Sequence, residues 1–253
     1  MTYLAFHLVF TIPAVLLLWV TLPRSLGSFG GLRGRAAIPL LCLIAFVYTT
    51  PWDNYLVARQ VWWYGLDRVI ATIGYVPIEE YFFFLIQPVL TGLFLFHVLG
   101  RWDTGDRPSS VSAHTWGSLF WATISGVSFL LLWLDVESAL YLSLILSWSG
   151  PVLTAMWLYD GQTLWRKRWA LFVGVGVPTV YLWLADAIAI YQNIWTISST
   201  YTLGLQVWTL PLEEATFFLV TNLLVVKGIL LLLYGDHETA EHVSGRMKQM
   251  KAA

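Results

Sequence analysis

The chain has 253 residues, of which 58% are hydrophobic and only 11% charged, with a mean hydropathy of +0.68. Soluble domains carry about 25% charged residues, so this composition excludes a water-soluble globular protein and points to an integral membrane protein. A net charge of −1, with no Lys/Arg cluster beside interleaved aromatics in a polar loop, also excludes a nucleic-acid partner.

About 20 apolar residues cross a bilayer core as a helix, and seven stretches reach that length, at 3–22, 36–57, 77–99, 114–134, 138–159, 169–190 and 209–234. The first is too long for a signal peptide and lacks both a basic flank and a small-residue cleavage site, so it reads as a retained span. Lone Cys42 in the second span excludes an intramolecular disulfide. Arg24, Arg33, Arg35, Arg101, Arg107, Arg166, Lys167, Arg168, Arg246, Lys248 and Lys251 fall on one side of the predicted membrane, against Arg59 and Arg68 on the other. That bias predicts an outside N-terminus and a cytoplasmic polar tail over 235–253. Lys227, in span seven, is close enough to the cytoplasmic face to be expected to snorkel to water.

Self-similarity organises the chain. Pro77-Ile-Glu-Glu-Tyr-Phe-Phe-Phe-Leu85 returns as Pro211-Leu-Glu-Glu-Ala-Thr-Phe-Phe-Leu219. Tyr3, Leu4, Leu8, Pro13 and Trp19 match Tyr141, Leu142, Leu146, Pro151 and Trp157, and Arg35, Val47, Tyr48, Asp53 and Trp62 match Arg168, Val180, Tyr181, Asp186 and Trp195. The insertions that separate these blocks fall in loops. Two three-helix units at 1–99 and 138–234 follow, joined by a connector at 100–137 that holds span four. A three-helix unit ends on the side opposite its start, so one extra span lets the second copy insert in the same orientation. The expected fold is an all-α bundle of seven transmembrane helices, 3+1+3, with parallel repeats about an axis along the membrane normal.

Carboxyl groups stand where a membrane makes them costly. An intramembrane acid costs roughly 2.5 to 3.5 kcal/mol on insertion scales, yet Asp53 and Asp186 lie near the outer ends of spans two and six. Glu79, Glu80, Glu213 and Glu214 open spans three and seven. Acids there also suit the positive end of the helix dipole, with Pro in the first turn. Successive helical residues point about 100° apart, however, so at least one Glu of each pair turns toward the bundle and the neighbouring Asp. A buried acid cluster of this kind can hold a proton for general acid catalysis. The chain also carries 15 Trp, 14 Phe and 12 Tyr. Most serve the interfacial belts and packing, but Trp52, Trp62, Trp63, Tyr64 and Tyr81 lie close to the acids in sequence. Aromatic faces there stabilise a cation by roughly 0.5 to 2 kcal/mol. No Gly-x-Gly-x-x-Gly follows a strand, no phosphate-binding Gly-Lys loop or Asp-rich run is present, and the five His lack metal-ligand spacing. No cofactor and no metal is expected.

Pro51-Trp-Asp-Asn54, Val61-Trp-Trp-Tyr-Gly65, the two Pro-x-Glu-Glu segments and Ile194-Trp-Thr-Ile-Ser198 together resemble the small membrane-integral lycopene cyclases. The resemblance covers almost the whole chain, weakest in span four. It implies the fused form of a family that also exists as heterodimers of three-helix subunits. It further implies a carotenoid substrate, lycopene, whose ψ-ends are closed to β-ionone rings without net redox change, in the cell membrane. Carried over, the acid and base come from Asp53, Glu79 and Glu80 or from Asp186, Glu213 and Glu214. Trp52, Asn54, Trp62, Trp63, Tyr64, Tyr81, Phe83, Phe84, Trp195, Phe217 and Phe218 become candidate substrate contacts. The second repeat has Leu184-Ala-Asp-Ala187 where the first has Pro51-Trp-Asp-Asn54, so the expectation is one site nearer the first repeat's acids, supported by the second. A proton-coupled transporter with SWEET-like 3+1+3 repeats is the competing reading, a retinal-binding seven-helix protein is the third, and within the family the alternative is a cyclase acting on C50 carotenoids. Oligomeric state stays open.

Overall fold

A computed structural model describes the backbone of residues 1–102 and 111–252, and the side chains of 1–102 and 112–235. Arg107 of the predicted connector, and the side chains of the predicted tail beyond Gly235, lie outside the described residues.

Among the described residues the chain is mostly helical, and seven helices are long and apolar enough to cross a membrane. They are α1 (Tyr3–Val20), α2 (Leu32–Ala58), α3 (Ile78–Arg101), α4 (Val111–Trp133), α5 (Leu140–Arg166), α6 (Arg168–Tyr191) and α7 (Leu212–Ala252), the last with its apolar span over Leu212–Gly235. Thr2 caps α1 by accepting the Ala5 N–H at 3.2 Å. Within α1, His7–Thr11 widens to a π-helical turn. Pro13 follows directly and has no N–H to give to the carbonyl four residues back, which is where a helix relaxes in this way. Helix α5 breaks at Asp160 (φ −156°, ψ 72°), whose Oδ1 accepts the Thr163 N–H at 2.9 Å and so caps the short helical stretch that follows. The predicted fifth span stops at this break.

Helices α3 and α7 are the most buried spans and pack on each other, on α2 and on α6; α4 lies at the edge, chiefly against α5. Midway along, a polar knot ties α3, α6 and α7 together. Asn222 Oδ1 accepts from Gln87 Nε2 and from Thr91 Oγ1, both at 2.6 Å, and Asn222 Nδ2 donates to Thr179 Oγ1 at 2.9 Å. In an apolar surrounding such bonds hold helices together because an unmade one leaves a buried polar group unpaired.

Three two-stranded ribbons extend the all-α expectation. β1 (Trp62–Tyr64) pairs antiparallel with β4 (Trp195–Ile197), joining the loop after α2 to the loop after α6, with Trp62 opposite Ile197 and Tyr64 opposite Trp195. β2 (Thr72–Ile73) and β3 (Val76–Pro77) form one hairpin, and β5 (Gln206–Val207) and β6 (Leu210–Pro211) another. Each hairpin feeds directly into a Glu-Glu helix. Gly74 turns the first with φ +67°, and a Cβ there would meet Asn54 Oδ1 at 2.5 Å, so the position needs glycine on both counts.

Lys227 does not reach water. It is 1% exposed, its Nζ has no hydrogen-bond partner, and the ammonium lies 5.3 Å from the Trp121 ring and 5.0 Å from the Trp157 ring. Trp121 on α4 and Trp157 on α5 close over the side chain before it can extend to the helix end, a packing the linear sequence does not reveal. Burying a charge without a partner costs several kcal/mol, and a cation–π contact returns only about 0.5 to 2 kcal/mol. Lys227→Met is therefore expected to be at least as thermally stable in detergent as the parent; a lowered Tm would contradict this balance.

Candidate active site

The acids converge where the ribbons cover one end of the bundle. Asp53 stands in the last turns of α2 and Asp186 in the last turns of α6, while Glu80 and Glu214 stand in the first turns of α3 and α7. All four line one cavity of about 40 Å³ whose other walls are Tyr3, Phe6, Trp62, Tyr64, Phe83, Tyr141, Trp195, Ile197, Phe217 and Phe218. It sits between two apolar clusters, one around Phe6, Phe83 and Phe218, the other around Trp62, Tyr141 and Val220. A void of this size holds a few waters.

Two carboxylates are held by tyrosines. Tyr3 Oη donates to Glu80 Oε2 at 2.6 Å, and Tyr141 Oη donates to Glu214 Oε1 at 2.7 Å. Tyr64 Oη adds a second bond to Glu80 Oε2 at 3.2 Å and accepts from Trp62 Nε1 at 3.3 Å. Burial, with Glu80 and Asp53 alongside, holds the Tyr64 hydroxyl well above the ordinary phenol range, so it remains a donor. Asp186 Oδ1 accepts from Trp195 Nε1 at 3.0 Å, while its Oδ2 is buried without a partner. Asp53 is 2% exposed, and its Oδ2 is likewise buried without a protein partner. Four carboxyl groups line this one cavity, and ionising all four at once would set like charges against one another.

Each Glu-Glu pair divides its tasks. Glu79 Oε1 accepts the Ile70 N–H at 2.9 Å and Glu213 Oε1 accepts the Leu203 N–H at 2.8 Å. These two carboxylates hold the loops ahead of their helices and do not line the cavity. The Glu79 carbonyl is met in turn by His7 Nε2 at 3.0 Å, and His7 Nδ1 meets Thr11 Oγ1 at 3.0 Å across the π-helical turn.

Of the candidate substrate contacts, Trp62, Tyr64, Phe83, Trp195, Phe217 and Phe218 line the cavity. Phe84 lines an adjoining one. Trp52 lies behind Phe217, stacked on it at 5.8 Å with an interplanar angle of 5°. Three candidates are elsewhere. Trp63 is 42% exposed, because strand alternation turns it away from Trp62 and Tyr64. Asn54 and Tyr81 pin the first hairpin: Asn54 Oδ1 accepts the Tyr75 N–H, Asn54 Nδ2 donates to Tyr81 Oη, and Tyr81 Oη donates to the Ile73 carbonyl. In the second repeat Ala187 replaces that Asn, and Thr209 Oγ1 donates to the Ala187 carbonyl at 2.6 Å instead. Asp186 and Glu214 line the same cavity as Asp53 and Glu80. Tyr3, Phe6, Tyr141 and Ile197 were not among the candidates. The match of Tyr3 with Tyr141 across the repeats was a usable signal, since an aromatic hydroxyl kept in both copies near an acid invites a bond between them.

A sequence model of the family described as lycopene cyclase matches residues 1–99 and 138–231. The chain is 38% identical over 231 residues to a lycopene beta-cyclase of Halobacterium salinarum, which covers 91% of this chain and 95% of the relative. It is 34% identical to a bifunctional lycopene cyclase/phytoene synthase of Aspergillus oryzae, over 78% of this chain and 34% of that protein. With the protein of the same name from Blakeslea trispora the identity is 35%, over 89% of this chain and 38% of the relative. No solved structure matches.

Leucine at position 79 removes the acceptor that Ile70 N–H uses, whereas glutamine keeps one. Glu79→Leu is expected to lower stability by about 1 to 3 kcal/mol, the usual cost of a buried donor left unpaired, and to expose the preceding loop to proteolysis, with Glu79→Gln close to the parent in both. Equal losses in the two variants would show that charge at Glu79, and not its acceptor, holds the loop.

Proposed function

The chain belongs to the lycopene cyclase family, and from that premise we propose that it closes the ψ-ends of lycopene to β-ionone rings in the cell membrane, by acid–base chemistry in the cavity shared by its two repeats. The observation that carries this reading is the convergence of Asp53, Asp186, Glu80 and Glu214 in one aromatic-walled space.

The roles follow from who donates to whom. Hydrogen bonds to a carboxylate stabilise its charged form, and the hydroxyls of Tyr3, Tyr64 and Tyr141 all point at glutamates. Glu80 and Glu214 are assigned as bases. Asp53 receives no such donor and is assigned as the acid, with Asp186, bonded by Trp195 alone, as its counterpart. The acid gives its proton to C2 of the terminal double bond, leaving the cation at C1. The C5=C6 electron pair then forms the C1–C6 bond and moves the cation to C5. A glutamate removes the proton from C6, whose bonding pair restores the C5=C6 double bond. One proton enters, one leaves, and no electrons are exchanged with a cofactor, so the product is an isomer of the substrate. Aromatic faces of Trp62, Phe83, Trp195, Phe217 and Phe218 line the space where the cation forms and stabilise it without offering a nucleophile. The β1–β4 ribbon contributes Trp62, Tyr64, Trp195 and Ile197 to the cavity wall, and apolar walls matter because a cation that meets water becomes an alcohol instead of a ring.

In membranes supplied with lycopene, the parent is expected to yield cyclised carotene by chromatography. Asp53→Asn and Glu80→Gln are each expected to lower the initial rate by roughly 10² to 10⁴, the usual worth of a positioned acid or base, at unchanged protein level. Glu79→Gln should keep most of the rate. Full activity in Asp53→Asn would remove it from the role of acid, and no conversion by the folded parent would remove the cyclase assignment for this chain.

A further inference from the structure

The cavity at the acids adjoins a second, and the second adjoins a third. Phe83 and Phe217 belong both to it and to an apolar cavity of about 210 Å³. Val152 and Met156 belong both to that second cavity and to a third of about 410 Å³, which ends at Arg33 and Tyr159. Residues that face these spaces come from four helices, with Phe83, Phe84 and Gln87 on α3 and stripes along the other three. On α2 they fall at Leu41, Ala45 and Thr49, and the next step of four is Asp53. On α5 they fall at Trp148, Val152 and Met156, and on α7 at Phe217, Thr221 and Leu224, one step beyond Glu214. Spacing of three and four keeps one helix face turned to one side. From Asp53 to Arg33 is 20 residues of one helix, or about 30 Å at 1.5 Å per residue, close to the thickness of a bilayer's hydrocarbon core. The groove also opens sideways, since Ile44 is 50% and Tyr48 42% exposed on its rim.

We propose that this groove between α2, α3, α5 and α7 is the binding site for the long distal part of the polyene, holding it roughly along the membrane normal with one end at the acids and the other near Arg33 and Tyr159. This rests on the cyclase reading above and deepens it. An apolar stripe that starts at Asp53 and Glu214 and spans the hydrocarbon layer fits a long linear apolar chain better than a compact ligand. A lateral opening suits a substrate already dissolved in lipid. Val152 and Met156, where the second and third spaces meet, become specificity residues for chain length: they contact a full-length substrate and have no contact with a shortened one.

The test uses the full chain in membranes with two substrates, lycopene and a shortened polyene that bears one ψ-end and stops before the level of Val152. Val152→Trp and Met156→Trp fill the groove. Each is expected to lower kcat/KM for lycopene by roughly ten-fold or more, as overfilling a fitted space does, while leaving conversion of the shortened polyene at the parent rate. Equal losses on both substrates would place these residues in support of the acid cavity and overturn the groove; no loss on lycopene would overturn it too. Failure of the parent on both substrates would instead sink the cyclase reading, and the polyene assignment with it.

Discussion

Keeping carboxyl groups inside a membrane bundle is the constraint on which this structure depends. Each intramembrane acid costs roughly 2.5 to 3.5 kcal/mol on insertion scales, and six of them, Asp53, Glu79, Glu80, Asp186, Glu213 and Glu214, gather at one end of the fold. What surrounds them is a supply of donors. Tyr3, Tyr64 and Tyr141 give hydroxyls, Trp195 gives an indole N–H, and Ile70 and Leu203 give backbone N–H groups. The loops are therefore not slack connections. Their folding into paired ribbons puts Tyr64 and Trp195 over the cavity and brings Ile70 and Leu203 to the glutamates.

The same arrangement explains why α3 and α7 are the central helices. A helix N-terminus is the positive end of the backbone dipole, and both helices begin with a Glu pair at that end. The 100° step between neighbours lets one Glu of each pair secure the loop while the other faces the cavity. Below the acids, the bonds of Asn222 to Gln87, Thr91 and Thr179 fix α3, α6 and α7 against one another, so that carboxyls on three of the four acid-bearing helices keep their spacing. Positioning of this kind matters for the proposed ring closure, in which proton donor, cation and proton acceptor must be held in register.

Much of this was legible in the residues. Apolar length located seven spans, and the doubled Pro-x-Glu-Glu segment with the Asp53 and Asp186 match located the acids that meet in the cavity. Side-chain direction was not legible where it depends on neighbours. Which Glu of each pair faces inward is decided by the loops that claim Glu79 and Glu213. Trp63, Asn54 and Tyr81 lie beside the acids in sequence, but strand alternation and a hairpin turn them to other work. Lys227 was expected to reach water because sequence gives its depth and not the two tryptophans packed over it. The apparent weakening of the second repeat at Ala187 is local, since Thr209 supplies the missing tie and Asp186 still reaches the cavity.

The most direct test of the central claim, that a proton held by the protein starts the ring closure, is the isotope content of the product. Membranes containing the protein, equilibrated in deuterated water and then supplied with lycopene, should return cyclised carotene with one deuterium per ring, carried at C2 and read by mass spectrometry and NMR. Rings that form without deuterium at C2 would contradict protonation by an exchangeable carboxyl group, and with it the role of the buried acids as proton donors.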